Sequence, residues 1–232
     1  MVVQSVLGWS VIVPLKDFSV AKSRLLLDDR RRSALARAMA ADTLRAVAAC
    51  QLVDELIVVT RDAEGVRPIL PVKARVVVET SAAGIDAAVR LGSRSAAIGL
   101  GRAALVGDLP FLRSDDLADA LALASQHPLA VVPDKEGTGS TMVTGRPGVE
   151  LVTCFGLHSL RRHVAAGYRP LGLSPSSSLR WDVDTLEDLA SPVLPLGEET
   201  AGQRAEQGRE AADVSSAHIR RSSSHGLEVF AT

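Results

Sequence analysis

Glu55-Leu56-Ile57-Val58-Val59-Thr60 is a near-continuous apolar run, rich in β-branched residues and without polar alternation. A strand that alternates apolar and polar residues has one wet face, whereas a strand without alternation is covered on both. A similar run, Ala74-Arg75-Val76-Val77-Val78-Glu79, follows it, and Trp9-Ser10-Val11-Ile12-Val13-Pro14 precedes it. Between the first two strands, Arg31 to Cys50 is Ala-rich and places Leu35, Met39 and Val47 on one helical face. Gly84 to Ile98 reads as a second helix and Ala103 to Gly107 as a fourth strand. Ser114 offers an N-cap, with Asp115 and Asp116 in the first turn, for a helix reaching Gln126. Leu129-Ala130-Val131-Val132-Pro133 then reads as a fifth strand. Strands alternating with helices predict an α/β fold built on a single doubly wound, mostly parallel sheet. Beyond residue 134 the pattern loosens into a Gly/Thr loop, a short strand near Met142-Val143, a helix from Ser159 to Ala166, and a strand over Leu179-Arg180-Trp181.

The 232 residues are 47% hydrophobic and only 3% aromatic, so the core is built from Ala, Val and Leu, as in helices packed on a parallel sheet. A formal net charge of −1 gives no bulk attraction to nucleic acid or to an anionic membrane. Cys50 and Cys154 have no C-x-x-C spacing and read as small buried residues. No long apolar run and no secretory leader is evident, which predicts a soluble, cytoplasmic protein. Residues 1–196 form the expected domain. From Gly197 to Thr232 large apolar side chains are sparse, and this stretch reads as a disordered tail.

Chemistry concentrates in three aspartates. Asp108 follows the fourth strand in Gly107-Asp108-Leu109-Pro110, and Asp182 and Asp184 stand two apart in Trp181-Asp182-Val183-Asp184-Thr185. On an extended segment that spacing sends both carboxylates to one side. A lone Asp at a strand end reads as a cap or a turn residue. Three at strand ends, in a chain that also offers a basic loop, suit Mg²⁺, which takes one or two protein carboxylates plus waters and substrate phosphates. The basic loop, Pro14 to Leu25, carries Lys16, Lys22 and Arg24 at the usual phosphate position of such folds, without a glycine fingerprint. Loop and carboxylates converge on a nucleoside triphosphate with its Mg²⁺.

Two further segments have the character of ligand contacts. Asp134 to Thr141 contains Gly137-Thr138-Gly139, whose free backbone N–H groups suit an anion. Phe155-Gly156-Leu157-His158-Ser159 opens a helix, and His163 within it reads as a packing or surface histidine.

With Pro14-Leu15-Lys16, Ala21-Lys22-Ser23-Arg24-Leu25, Gly107-Asp108-Leu109-Pro110, Asp134 to Gly139, the Phe-Gly-x-x-Ser-x-x-x-His run and Asp182-Val183-Asp184-Thr185 in this order, the chain resembles the 2-phospho-L-lactate/phosphoenolpyruvate guanylyltransferases. These belong with the molybdopterin-guanylyltransferase-like nucleotidyltransferases and act in biosynthesis of a redox deazaflavin coenzyme. The resemblance covers residues 9–190 and implies a Rossmann-like nucleotidyltransferase fold. It implies that a phospho-acid attacks the α-phosphorus of GTP and that pyrophosphate leaves. It further implies Asp108, Asp182 and Asp184 as Mg²⁺ ligands, Lys16, Lys22 and Arg24 on the nucleotide phosphates, and Thr138, Gly156 and Ser159 on the three-carbon acid. Where that family suggests Leu-Asn near the base, this chain has Ile85-Asp86, and Asp86 either accepts from guanine or starts the helix. A nucleotidyltransferase for a sugar phosphate or molybdenum cofactor, and a non-catalytic nucleotide-binding module, are the competing readings. The oligomeric state is left open, a homodimer included.

Overall fold

The computed structural model describes residues 7–22, 25–81, 83–190 and 194–210. Strand β1 (Trp9–Leu15) lies at the centre of a seven-stranded sheet of order β3-β2-β1-β4-β6-β5-β7. Its neighbours β2 (Val53–Thr60) and β4 (Gly101–Leu105) both run parallel to it, and β3 (Ala74–Val78) runs parallel to β2. Beyond β4 the hairpin of β5 (Leu129–Pro133) and β6 (Ser140–Gly145) inserts β6 antiparallel between β4 and β5, and the short β7 (Arg169–Pro170) closes the edge parallel to β5. The mostly parallel sheet read from the sequence is observed, with β6 as its antiparallel member.

Period-two alternation along β1 sorts the two faces. Val11 and Val13 pack under α1 (Asp29–Ala49) and α4 (Ser114–Ala124), through Ala36, Ala40 and Leu44 of the first and Leu117, Ala120 and Leu121 of the second. Ile12, with Ile57 and Val59 of β2, packs under α3 (Ile85–Ser95) instead. Each such fully buried aliphatic side chain contributes roughly 1.5–3 kcal/mol. The approach of α3 is close: a Cβ at Gly92 would stand 2.5 Å from Ile12 Cγ2, so a small residue is required there. Asp28 caps α1, accepting from Arg31 N at 3.0 Å. A short helix, α2 (Ala63–Val66), follows β2, and α5 (Ser159–Ala165) precedes β7. Among the described residues, no helix is long and apolar enough to cross a membrane.

Three expectations are corrected. Leu179-Arg180-Trp181 is no strand: Ser178–Arg180 is a 3₁₀ turn. The Ser178 N–H donates to Asp116 Oδ2 at 2.7 Å, which replaces a sheet ladder by a side-chain anchor, and Leu179 is buried beneath it. Ser114 is the first residue of α4 and not its N-cap; Arg113 precedes it, and its N–H donates to Ser178 Oγ at 2.9 Å. The chain does not lose structure at Gly197, because residues 198–210 form a helix, α6. Its first N–H groups are capped from outside the helix by Asp42 of α1, which accepts from Glu199 N at 3.1 Å and Thr200 N at 2.8 Å. Polar anchors take the place of the apolar ones this segment lacks. Residues 211–232 of the expected tail lie outside the described residues.

Parallel pairing brings the loops after β1, β3, β4 and β5 to one edge of the sheet, beside the start of β6. That edge is where open α/β sheets bind ligands.

Candidate active site

A cavity of about 400 Å³ opens at this edge, lined among others by Pro14, Lys16, Lys22, Ile85, Gly107, Asp108 and Asp184. The turn after β4 aims Asp108 into it. Gly107 packs closely there, since a Cβ would fall 2.3 Å from Leu15 Cδ2 and the leucine would have to shift. Leu109 is buried and its N–H donates to Thr43 Oγ1 of α1 at 3.0 Å. The segment 181–184 has no regular structure, but it is tied to this turn by Val183, which is fully buried and donates its N–H to Asp108 O at 3.1 Å.

The structure therefore brings Asp108, Asp182 and Asp184 together, although not as a pair of parallel side chains on a strand. Asp182 is turned inward while the Asp184 side chain is 51% exposed. Burial first, and then the Asp108 charge, pushes the Asp182 carboxyl up to about 7. Asp184 is positioned through its backbone, with Asp188 Oδ2 accepting from Asp184 N at 2.9 Å and Thr185 N at 2.7 Å.

Lys22 lies among the carboxylates. Its ammonium donates to Asp108 Oδ2, Val183 O and, at 3.0 Å, Asp184 Oδ1. Burial acts to lower its pKa, but the Asp108 and Asp184 carboxylates outweigh that and hold it up to about 12. The residue adopts a left-handed backbone with φ of 56°, a conformation that costs a non-glycine residue roughly 1–3 kcal/mol. Among the described residues no group of three or more His, Cys, Asp or Glu side chains is gathered closely enough to hold a metal ion, and the lysine stands between two of the three expected ligands. The donor set nevertheless fits a divalent cation. Asp108 Oδ1 and Asp182 Oδ1 are both buried and have no hydrogen-bond partner among the described residues. Buried carboxylate oxygens without a donor are costly, and a hard cation is the partner that satisfies them.

Of the other cations, Lys16 is exposed at the cavity and makes no ion pair among the described residues. Arg24 lies outside the described residues. Two residues shape the site without having been singled out in the sequence. Arg32 of α1 is buried and donates to Ala21 O and, at 2.7 Å, to Ser19 O, which folds the basic loop back over the cavity. Lys135 donates to Asp182 O at 3.2 Å and pairs with Asp188 at 3.0 Å, joining the β5–β6 turn to the carboxylate segment. Single basic residues, one in a helix and one in a turn, carry no motif, so only the contacts reveal them.

Thr138, Gly156 and Ser159 come together on the neighbouring side. Leu160 N donates to Thr138 O at 3.3 Å, and Ser159 N to Gly156 O at 3.0 Å. The β5–β6 turn is wound around Asp134, whose carboxylate accepts from Thr138 N at 2.9 Å and Gly139 N at 2.6 Å. His163 is fully buried, edge-on to Phe155 and Tyr168. Its Nε2 accepts from Cys154 N at 2.8 Å, so the ring proton sits on Nδ1, 3.1 Å from Ser140 Oγ. It is a packing residue. Asp86 does start α3, in its first turn, and its Oδ1 is occupied by Thr153 Oγ1 at 2.7 Å and Phe155 N at 3.0 Å.

A doubly wound sheet with buried carboxylates and a lysine loop at the carboxyl ends of its strands has the make-up of a nucleotidyltransferase. A family model described as guanylyl transferase CofC like matches residues 9–205, and the chain belongs to that family. The phosphoenolpyruvate guanylyltransferase of Streptomyces coelicolor is 43% identical over 199 residues, covering 83% of this chain and 94% of the relative. Two solved structures share the fold. A nucleotidyl transferase from Methanothermobacter thermautotroptrophicus aligns with a TM-score of 0.57 and 19% identity, over 78% of this chain and 94% of the other. A Mycobacterium tuberculosis protein in complex with manganese aligns with a TM-score of 0.54 and 21% identity, over 80% of this chain and 97% of the other.

Proposed function

We propose that this guanylyltransferase moves GMP from GTP to phosphoenolpyruvate, or to the closely related 2-phospho-L-lactate, with release of pyrophosphate, in biosynthesis of the redox deazaflavin coenzyme. The acceptor phosphate oxygen forms a bond to the α-phosphorus of GTP while the bond from that phosphorus to the β-phosphate bridging oxygen breaks. The attacking group is already an anion, so no strong base is needed. Alignment and neutralisation of clustered charge carry the rate.

The observation that carries this reading is a pair of buried oxygens without a hydrogen-bond partner among the described residues, Asp108 Oδ1 and Asp182 Oδ1, contributed by distant parts of the chain beside a cavity that Lys16 lines. In this reading Asp108 and Asp182 hold a divalent cation, Mg²⁺ by the hardness of the donors, with Asp184 joining them when Lys22 turns to the triphosphate. When bound, that ion neutralises and orients the triphosphate charge. Lys16, Lys22 and Arg24 take the nucleotide phosphates, and Thr138, Gly156 and Ser159 take the acid phosphate. The name of the Streptomyces relative supports phosphoenolpyruvate as the acceptor, and the manganese complex of the fold relative supports a divalent ion.

Purified protein given GTP, Mg²⁺ and phosphoenolpyruvate releases pyrophosphate only when all three are present. Release that is independent of the acid, or equal with CTP and a sugar phosphate, would overturn the assignment.

A further inference from the structure

The segment 151–158 leads into α5 without regular secondary structure, so its backbone polar groups need side-chain partners. It finds four. Tyr168 Oη donates to Val152 O at 2.7 Å, Arg162 Nη2 donates to Phe155 O at 2.8 Å, and Cys154 N donates to His163 Nε2 at 2.8 Å. These three partners belong to α5 or the residues just after it. The fourth comes from elsewhere. Asp86 Oδ1, from the first turn of α3, accepts from both Thr153 Oγ1 and Phe155 N.

Asp86 therefore stands between two parts of the site. On one side its neighbour Ile85 lines the cavity that holds Lys16 and Asp108. On the other it grips the N–H of Phe155, directly before Gly156, whose φ of 105° is open only to glycine without strain. We infer that Asp86 is a positioning residue, which ties the acid-binding segment carrying Gly156 and Ser159 to the nucleotide side of the site. This rests on the acceptor role given to Gly156 and Ser159 above. It is an alternative to the reading of Asp86 as a contact to the nucleotide base, because Oδ1 is taken up by the protein. A charged acceptor on an N–H holds it more firmly than a neutral one, and the helix start on which Asp86 sits favours its negative charge.

The experiment is steady-state kinetics with both substrates varied, on the full chain and on Asp86→Ala, Asp86→Asn and Thr153→Val. Asp86→Ala raises KM for the acid about tenfold and leaves kcat and KM for GTP within about twofold, the pattern of lost ground-state positioning. Asp86→Asn keeps an oxygen able to accept both bonds but loses the charge, and raises the same KM by less than the alanine variant does. Thr153→Val removes one of the two bonds and raises the same KM by less, which also covers the case of an alanine variant that does not fold. An alanine variant with an unchanged acid KM, or one whose GTP KM rises while its preference for GTP over ITP is lost, overturns the inference in favour of no role or of base reading. Amide exchange over 151–158 is an activity-independent reading: faster in Asp86→Ala supports the tie, unchanged exchange refutes it. If the parent chain itself releases no pyrophosphate, the fault lies with the acceptor assignment, and the exchange result still decides the tie.

Discussion

Asp182 shows how much a single residue can cost when one of its buried oxygens lacks a donor among the described residues. Its carboxyl is inward-facing, one oxygen has no donor among the described residues, and the Asp108 charge lies near it. Removing the charge alone relieves the folded chain. Asp182→Asn should raise the metal-free melting temperature at pH 8, by a gain on the order of 1 kcal/mol, since an amide pays less to be buried than an unpaired carboxylate. The same variant should lose the rise in melting temperature that millimolar Mg²⁺ or Mn²⁺ produces in the parent, and about a thousandfold or more in turnover. Differential scanning calorimetry with and without the ion checks the first two, and the pyrophosphate assay the third. A metal-induced shift that survives in the variant would remove Asp182 from the ion site. Asp108 was legible in the sequence by position, because strand ends in such a sheet face its ligand crevice, whereas Asp182 and Asp184 stand in an irregular segment and were marked by their motif and the family resemblance. The Lys22 ammonium lodged among them was not legible, since Lys22 and Asp184 are joined only by the fold.

At the scale of elements, α6 depends on one tertiary cap. Asp42 projects from α1 against Gly197, where a Cβ would come within 2.2 Å of its carboxyl carbon. It accepts the first free N–H groups of the following helix. Around it lie weaker ties: Arg45 to Glu199 at 2.8 Å, Arg31 to Glu210 at 3.2 Å, and Gln207 Nε2 to Arg31 O at 3.0 Å. Exposed ion pairs of this kind contribute about 0–1 kcal/mol each, whereas a cap is worth roughly 0.5–2. Asp42→Ala should therefore release residues 198–210 locally while the sheet stays folded, seen as protease cleavage there and fast amide exchange confined to that segment. Exchange that rises everywhere at once would show that α6 unfolds only with the whole. The sequence around Gly197 carries a readable signal of glycine, two acidic residues and threonine at a helix start. The scarcity of large apolar side chains outweighed it, and that scarcity is compensated by a buried aspartate in a distant helix.

For the whole molecule, the buried histidine gives stability a pH dependence of known sign. Burial holds His163 down to about 4, well below the ordinary 6.5, and its Nε2 already accepts from Cys154 N. Above about 6.5 the ring is neutral folded and unfolded, and contributes nothing to pH dependence. As pH falls from there toward 4, the unfolded chain binds a proton that the folded chain refuses, so stability is lost across that window, by about 3 kcal/mol in all. Urea unfolding at pH 7.5 and pH 5 should show about 2 kcal/mol of that loss in the parent and less in His163→Gln, a comparison that subtracts the carboxylates common to both. An equal loss in the two proteins would mean that the buried ring does not set the slope. By itself the sequence determined the layered α/β class, most of the strands and helices, and Asp108 beyond the end of β4, because period and strand-end placement are local properties of the chain. Tertiary structure alone decided which lysine meets which aspartate, that 178–184 lies outside the sheet, and that Asp86 reaches the segment 151–158. Those contacts join residues far apart in the chain, and their partners are chosen by packing that no local pattern encodes.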